Sequence, residues 1–448
     1  MSRVPERLGQ YREGRLANKV STTDWVRRDA AVVWHGFTQM STFATNSPIV
    51  VERGEGRELI DVEGRRYLDA ISSVWMMTLG HRVPELDDAL RDQIDRIAHS
   101  TMLGHGNVAT IELAEDLAAR LPMEDPHLLF AADGAAAVEQ ALKIAFQYWV
   151  NLGVEGRTGY LAFGGAYHGD TIGSISVGAG GFGTDLFDPL RFEVIHAPGF
   201  DDPNCIDVAC DLIQVYRDRL AAVIAEPLVQ GAAGIHVRQP EEFRMLAEAC
   251  RANDVLLICD EIAVGFGRTG SLFASQRCGI RPDLLTMGKG ITGGYLPMSA
   301  TAANRRVYDA FLGEDLGPRT LYHGHSYAGN ALAAAVARRH LQLIEEWGVL
   351  ANVEARSAEL SAALAERVLP LPQVREVRQQ GFMVGVELAP PSEGMRWGRQ
   401  VSAACVERGV LIRPLGDVIV SVPMLTTTPE EIDRIIDTIA AAITSAAT

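Results

Sequence analysis

From Leu128 to Thr301 short apolar runs alternate with stretches of amphipathic helical spacing, and this alternation restricts the fold more than any other feature of the chain. Leu128–Phe130, Tyr160–Phe163, Val194–Ile195, Ala221–Glu226, Val255–Cys259, Leu284–Met287 and Met298–Thr301 are too short for buried helices and too apolar for loops, so they read as strands. Strands separated by helices build a mostly parallel sheet with helices on both faces, an α/β architecture. Ligands of such sheets bind beyond the carboxyl ends of the strands. Asp133, Tyr167, Glu226, Asp260 and Lys289 all fall there.

Two of these ends carry chemistry. Val255–Cys259 runs into Asp260-Glu261, and Lys289 follows 29 residues later, alone between Gly288 and Gly290 at the end of Leu284–Met287. An acidic pair after a strand is commonly a cap or a solvated turn, and Gly-Lys-Gly is commonly a loop. Together they match the needs of pyridoxal 5'-phosphate (PLP): an amine that condenses with the cofactor's aldehyde, and a carboxylate that keeps the pyridine nitrogen protonated.

Size and composition bound the remaining possibilities. A chain of 448 residues with 47% apolar content exceeds what one core usually serves. The expected division is an amino-terminal arm and small-domain segment (1–100), a large cofactor domain (101–345) and a carboxyl-terminal small domain (346–448). A net charge of −16 argues against nucleic acid or an anionic membrane as partner. The six cysteines form no CxxC pair and several lie in apolar runs, which reads as reduced and structural. No apolar run approaches the ~20 residues of a membrane span and Met1-Ser-Arg-Val-Pro-Glu-Arg7 has no signal-peptide core, so a cytoplasmic protein is expected. Ile49–Val51 and Glu58–Val62, with a turn at Glu63-Gly64, read as small antiparallel strands, and Ser72–Trp75 reads as a loop. At the end, Thr428, Pro429 and Glu431 spell a capping box ahead of an apolar stripe over Ile432, Ile435, Ile436, Ile439 and Ile443.

Asp260-Glu-Ile-Ala-Val-Gly-Phe-Gly-Arg-Thr-Gly270, followed by Gly288-Lys-Gly290, resembles the signature of the class III (omega-type) aminotransferases of PLP fold type I, and the resemblance covers nearly the whole chain. It implies a homodimer that moves an amino group from a small-molecule amine donor to a carbonyl acceptor. Lys289 is then the covalent lysine and general base, Asp260 the partner of the ring nitrogen, and Tyr167 the stacking aromatic, with Ile262 on the other face. The resemblance puts the amides of Gly134 and Ala135 on the phosphate, His168 in the same motif as Tyr167, Glu226 and Gln230 on the phenolic side, and Ser326 on the neighbouring subunit's phosphate. Where the family usually has serine this chain has Asp133, a carboxylate that repels a phosphate unless it turns away to cap the helix.

Ser72-Ser-Val-Trp75, Tyr167-His-Gly-Asp-Thr171, His323-Gly-His-Ser-Tyr327 and Arg413-Pro-Leu-Gly-Asp417 are most similar to the 7,8-diaminopelargonic acid (8-amino-7-oxononanoate) aminotransferases of biotin synthesis, particularly the lysine-using branch. That resemblance implies conversion of 8-amino-7-oxononanoate to 7,8-diaminononanoate with lysine or S-adenosylmethionine as donor. It also implies a substrate site of Phe37, Trp75, Asp170, Arg268 and Arg413, with Met76 and Met77 as further apolar walls. Gly36 replaces the usual proline and Phe37 a frequent tyrosine. With Asp133, these departures leave three alternatives: a class III aminotransferase of a specialised pathway acting on another aldehyde or ketone, an aminomutase, and a non-catalytic PLP-fold binding protein.

Overall fold

In the computed structural model, which describes residues 21–446 apart from 47, 180–182, 391 and 393–394, seven strands form the central sheet. The amino-terminal segment read above for a signal peptide lies outside the described residues. The strand order is His127–Ala131, Ser299–Ala303, Leu284–Met287, Leu256–Asp260, Leu220–Ala225, Gly159–Phe163, Ile195–Ala197. Leu256–Asp260 pairs in parallel with both neighbours, and Gly159–Phe163 likewise. Ser299–Ala303 is the exception, antiparallel to both of its neighbours. Only a 3-10 turn at Lys289–Thr292 lies between it and the preceding strand, too little chain for the crossover that a parallel return needs.

Side chains along Leu256–Asp260 alternate between two cores, as a strand covered on both faces must. Leu256 and Ile258 pack with Val138, Leu142 and Trp149 of the helix Gly134–Asn151. Leu257 and Cys259 pack with Ile213, Phe243 and Leu246 from the helices Cys205–Tyr216 and Pro240–Ala252. The helices thus lie on opposite faces, and the strand ends are left for the site.

Two further four-stranded sheets accompany the central one, besides the short pair Val229–Gln230 and His236–Val237. Val51–Glu55, Glu58–Asp61 and Arg66–Asp69 form an antiparallel meander whose last strand pairs in parallel with Val410–Leu411, so the two ends of the chain share a sheet. The first of these strands begins at Val51 rather than Ile49. Val374–Gln380, Met383–Leu388, Val418–Ser421 and Arg413–Leu415 form the other. The terminal helix Pro429–Ala446 carries the expected box: Glu431 N donates to Thr428 Oγ1 (3.3 Å) and Thr428 N to Glu431 Oε2 (2.9 Å). Its isoleucine stripe is buried against Trp397, Val401 and Cys405. All six cysteines are free. Among the described residues no helix is long and apolar enough to cross a membrane.

Candidate active site

At the carboxyl ends of the parallel strands a cavity of about 450 Å³ gathers Asp133, Gly134, Ala135, Tyr167, His168, Asp170, Glu226, Asp260, Ile262 and Lys289, the greater part of the residues expected from the sequence. Asp260 closes its strand with both carboxylate oxygens engaged. Oδ1 accepts from Ile262 N (3.0 Å) and Thr286 Oγ1 (3.1 Å), and Oδ2 meets His168 Nδ1 at 2.6 Å. Burial alone pulls the imidazole's pKa down, but the bond to Asp260 and its charge prevail and hold it above the ordinary value. The pair therefore presents a buried carboxylate locked in position by a proton-bearing ring.

Lys289 follows its strand at φ +40, a left-handed conformation that aims the side chain back into the cavity. Burial lowers the pKa of its amine, against the opposing charges of Asp260 and Glu226. An amine more easily stripped of its proton is a better nucleophile. Its Nζ stands 5.0 Å from the centre of the Trp75 ring. Glu226 is buried too, accepting from Tyr167 N (3.4 Å) and Gly231 N (3.2 Å). Burial raises its carboxyl to about 7, with the charge of His168 acting in the opposite direction.

The cradle opposite is shaped by missing side chains. A Cβ on Gly134 would approach the Ile262 side chain to 3.0 Å, and one on Gly169, which has φ +125, would lie 2.5 Å from Ala135 Cβ. The first turn of an 18-residue helix is thereby open to an anion. Asp133 caps that helix, its Oδ1 accepting from Ala136 N (2.9 Å), and still lines the cavity. Tyr167 hydroxyl donates to Asp170 Oδ2 (2.8 Å). A helix terminus left uncrowded by Gly134 and Gly169, Ile262 and Tyr167 in the cavity lining, a buried carboxylate and a buried amine are the set that a phosphorylated pyridine aldehyde requires, so the residues fit PLP.

A second cavity of about 240 Å³ shares Tyr167 and Lys289 with the first and leads away between Phe37, Ile71, Val74, Trp75, Leu415 and Val420. Apart from Tyr167, Lys289 and Arg413 its walls are apolar, and Arg413 is exposed with no ion-pair partner among the described residues. Val74 and Trp75 reach it from a single left-handed helical turn: φ is +51, +48, +65 and +70 at Ser72, Ser73, Val74 and Trp75. L-residues avoid this conformation at a cost on the order of 1–2 kcal/mol each, so the turn is strained.

Other residues expected at the site lie outside the two cavities. Arg268 does not reach either cavity. It is buried, Nη1 donating to Pro423 O (2.6 Å) and Nη2 to Trp75 O (3.2 Å) and Met77 O (2.6 Å). Burial pulls its pKa down to about 9, against the charge of Asp69. Gln230 stands outside the cavity lining, its Oε1 accepting from Phe200 N (3.1 Å). Ser326, expected on a neighbouring subunit's phosphate, is exposed and lines neither cavity of its own chain. Met76 and Met77 are not walls, because the left-handed turn sends Val74 and Trp75 inward instead. Nothing in the sequence distinguishes Ile71 and Val420 from other core residues.

The family profile for class-III aminotransferases matches residues 40–443. The chain belongs to the class III aminotransferases. Curated relatives include the adenosylmethionine-8-amino-7-oxononanoate aminotransferase of Nitratidesulfovibrio vulgaris, 43% identical over 93% of this chain and 80% of its own length. The enzyme of that name from Aquifex aeolicus is 40% identical over 93% and 96%. Among solved structures, the adenosylmethionine-8-amino-7-oxononanoate aminotransferase of Methanocaldococcus jannaschii superposes with a TM-score of 0.91 at 38% identity, covering 94% of this chain and 98% of that one. An (S)-enantioselective omega-transaminase from Thermomicrobium roseum superposes at 0.90 and 32% identity, covering 96% and 100%. Class III aminotransferases are PLP-dependent enzymes that act on small-molecule amines and carbonyl compounds.

Proposed function

We propose that this class III aminotransferase binds PLP and transfers an amino group to 8-amino-7-oxononanoate, forming 7,8-diaminononanoate for biotin synthesis. The observation that carries this reading is the largely apolar cavity that holds Lys289 and also Arg413, a cation with no ion-pair partner among the described residues. A reacting carbonyl at one end, an aliphatic chain between and a carboxylate at the other is what such a channel accepts. The names of the Nitratidesulfovibrio, Aquifex and Methanocaldococcus relatives support it and point to adenosylmethionine as donor, with lysine as the competing donor.

PLP, when bound, supplies an aldehyde that takes up the amino group and a ring that withdraws electrons. Asp260 would keep a proton at the ring nitrogen, and His168 holds that carboxylate in place. Lys289 Nζ takes a proton from the amine-bearing carbon of the substrate and gives it up again, a task suited to an amine whose pKa burial has lowered. The first-turn amides at Gly134 and Ala135 would hold its phosphate, with Tyr167, Ile262 and Glu226 as the residues that would hold its ring. Trp75, Val74 and Phe37 exclude water from the acceptor. The exposed Ser326 supports a homodimer in which each copy completes the other's phosphate site.

The test is a donor and acceptor screen that follows the absorbance change as PLP gains the amino group. Conversion by 7,8-diaminononanoate and by adenosylmethionine or lysine is expected. No response to any of the three ends the biotin reading. The omega-transaminase neighbour favours one second reading, transfer to another ketone or aldehyde, which the same screen detects.

A further inference from the structure

The strained turn at Ser72–Trp75 contains no glycine, and three groups outside both cavities grip it. Asp69, fully buried, accepts from Ser73 N (3.1 Å) through Oδ1 and from Ser73 Oγ (2.9 Å) and His81 Nε2 (3.1 Å) through Oδ2. Arg268 holds the carbonyls of Trp75 and Met77 from the other side, and ties them to Pro423 O. Ser72 Oγ donates to Val422 O (2.7 Å). A conformation of this kind persists only where its surroundings over-determine it, and here a buried carboxylate and a buried guanidinium do so from opposite ends. The residues so fixed are the ones that matter for the acceptor: Val74 and Trp75 wall the apolar cavity, and the Trp75 ring lies beside Lys289 Nζ.

We propose that Asp69, acting through Ser73 and together with Arg268, is a positioning residue for acceptor selectivity: the clamp holds the left-handed turn, and the turn fixes the width of the channel beside Lys289. Neither residue touches substrate. The inference rests on the aminotransferase reading for the selectivity it assigns, while the clamp itself is a property of the chain. In a rigid wall, a long-chain keto acid gains contacts that a short aldehyde does not; in a loose one, the difference shrinks.

The test uses the PLP-loaded enzyme and the variants Ser73→Ala, Asp69→Asn and Arg268→Lys, with two readouts. Amide hydrogen exchange at Trp75, Met76 and Met77, which donate to Ile71 O and Ser72 O, is expected to speed by about tenfold or more, while exchange across Met383–Leu388 stays as in the parent. The ratio of kcat/KM for a long-chain keto acid to that for a short aldehyde is expected to fall by about tenfold, through KM with kcat held. Asp69→Asn disturbs a buried charge, so if that variant does not fold Ser73→Ala, only half-buried, carries the decision. Unchanged exchange overturns the clamp, and faster exchange with unchanged selectivity overturns its role. Failure of the parent enzyme to turn over any acceptor defeats the proposed function instead, and the exchange readout still decides the clamp.

Discussion

Replacing Arg413 by alanine separates recognition of a carboxylate from every other property of the channel. Arg413 lines an apolar wall with Phe37, Trp75 and Leu415, yet is itself exposed and, among the described residues, without an ion-pair partner. Opposite charges about 4 Å apart are worth roughly 1 kcal/mol in water and about 4 at the effective dielectric of a protein surface. A bidentate pair at a half-open site falls between, at about 2 kcal/mol, which is about 30-fold in affinity. Arg413→Ala is therefore expected to raise KM for 8-amino-7-oxononanoate by about 30-fold, and to leave a ketone of the same length without the carboxylate within about twofold. Arg413→Lys, keeping the charge but not the fork, is expected to fall between. Steady-state kinetics on the two acceptors is the assay. Equal losses on both, or no loss on the keto acid, would refute the assignment of Arg413 to the carboxylate.

Three further expectations follow from the site and its supports. Asp133→Ser keeps a capping oxygen for Ala136 N while removing a charge beside the phosphate cradle, so PLP is expected to bind about 2- to 10-fold more tightly, most clearly at low salt; weaker binding in a PLP titration contradicts the cap assignment. Gly169→Ala sets a methyl group 2.5 Å from Ala135 Cβ at a positive φ, and PLP affinity is expected to drop at least about tenfold; parent-like affinity means the cradle is not where the phosphate sits. His340, buried with Nε2 2.6 Å from Thr78 Oγ1, is lowered by burial to about 4 from an ordinary 6.5. Below 6.5 the unfolded chain takes up a proton that the folded chain refuses, so this stabilisation is fully present above 6.5 and lost as pH falls toward 4, roughly 3 kcal/mol in all. Urea unfolding across that window should be flatter for His340→Asn, and an unaltered pH slope rules His340 out.

The strand ends were legible because an apolar run bounded by Asp260 or by Gly288 has few alternatives, and five expected residues from five different strand ends meet in one cavity. Residues whose role depends on side-chain direction were not. Arg268 looks like a substrate ligand in sequence, and only packing shows its guanidinium turned onto backbone carbonyls. The turn at Ser72–Trp75 lacks the glycine or asparagine that usually marks positive φ, so it reads as an ordinary loop and Met76 and Met77 seem as well placed as Val74. The antiparallel return of Ser299–Ala303 is hidden for another reason: apolar runs do not carry a direction, and only the length of the preceding connection does.

A single-turnover reaction with an isotopically labelled donor tests the central claim most directly. Enzyme loaded with PLP is given amino-¹⁵N adenosylmethionine or lysine, then 8-amino-7-oxononanoate, and the product is read by mass spectrometry. The proposed function predicts one ¹⁵N in 7,8-diaminononanoate from the parent enzyme and none from Lys289→Ala. Unlabelled acceptor recovered from the parent, or equal labelling by Lys289→Ala, would contradict it.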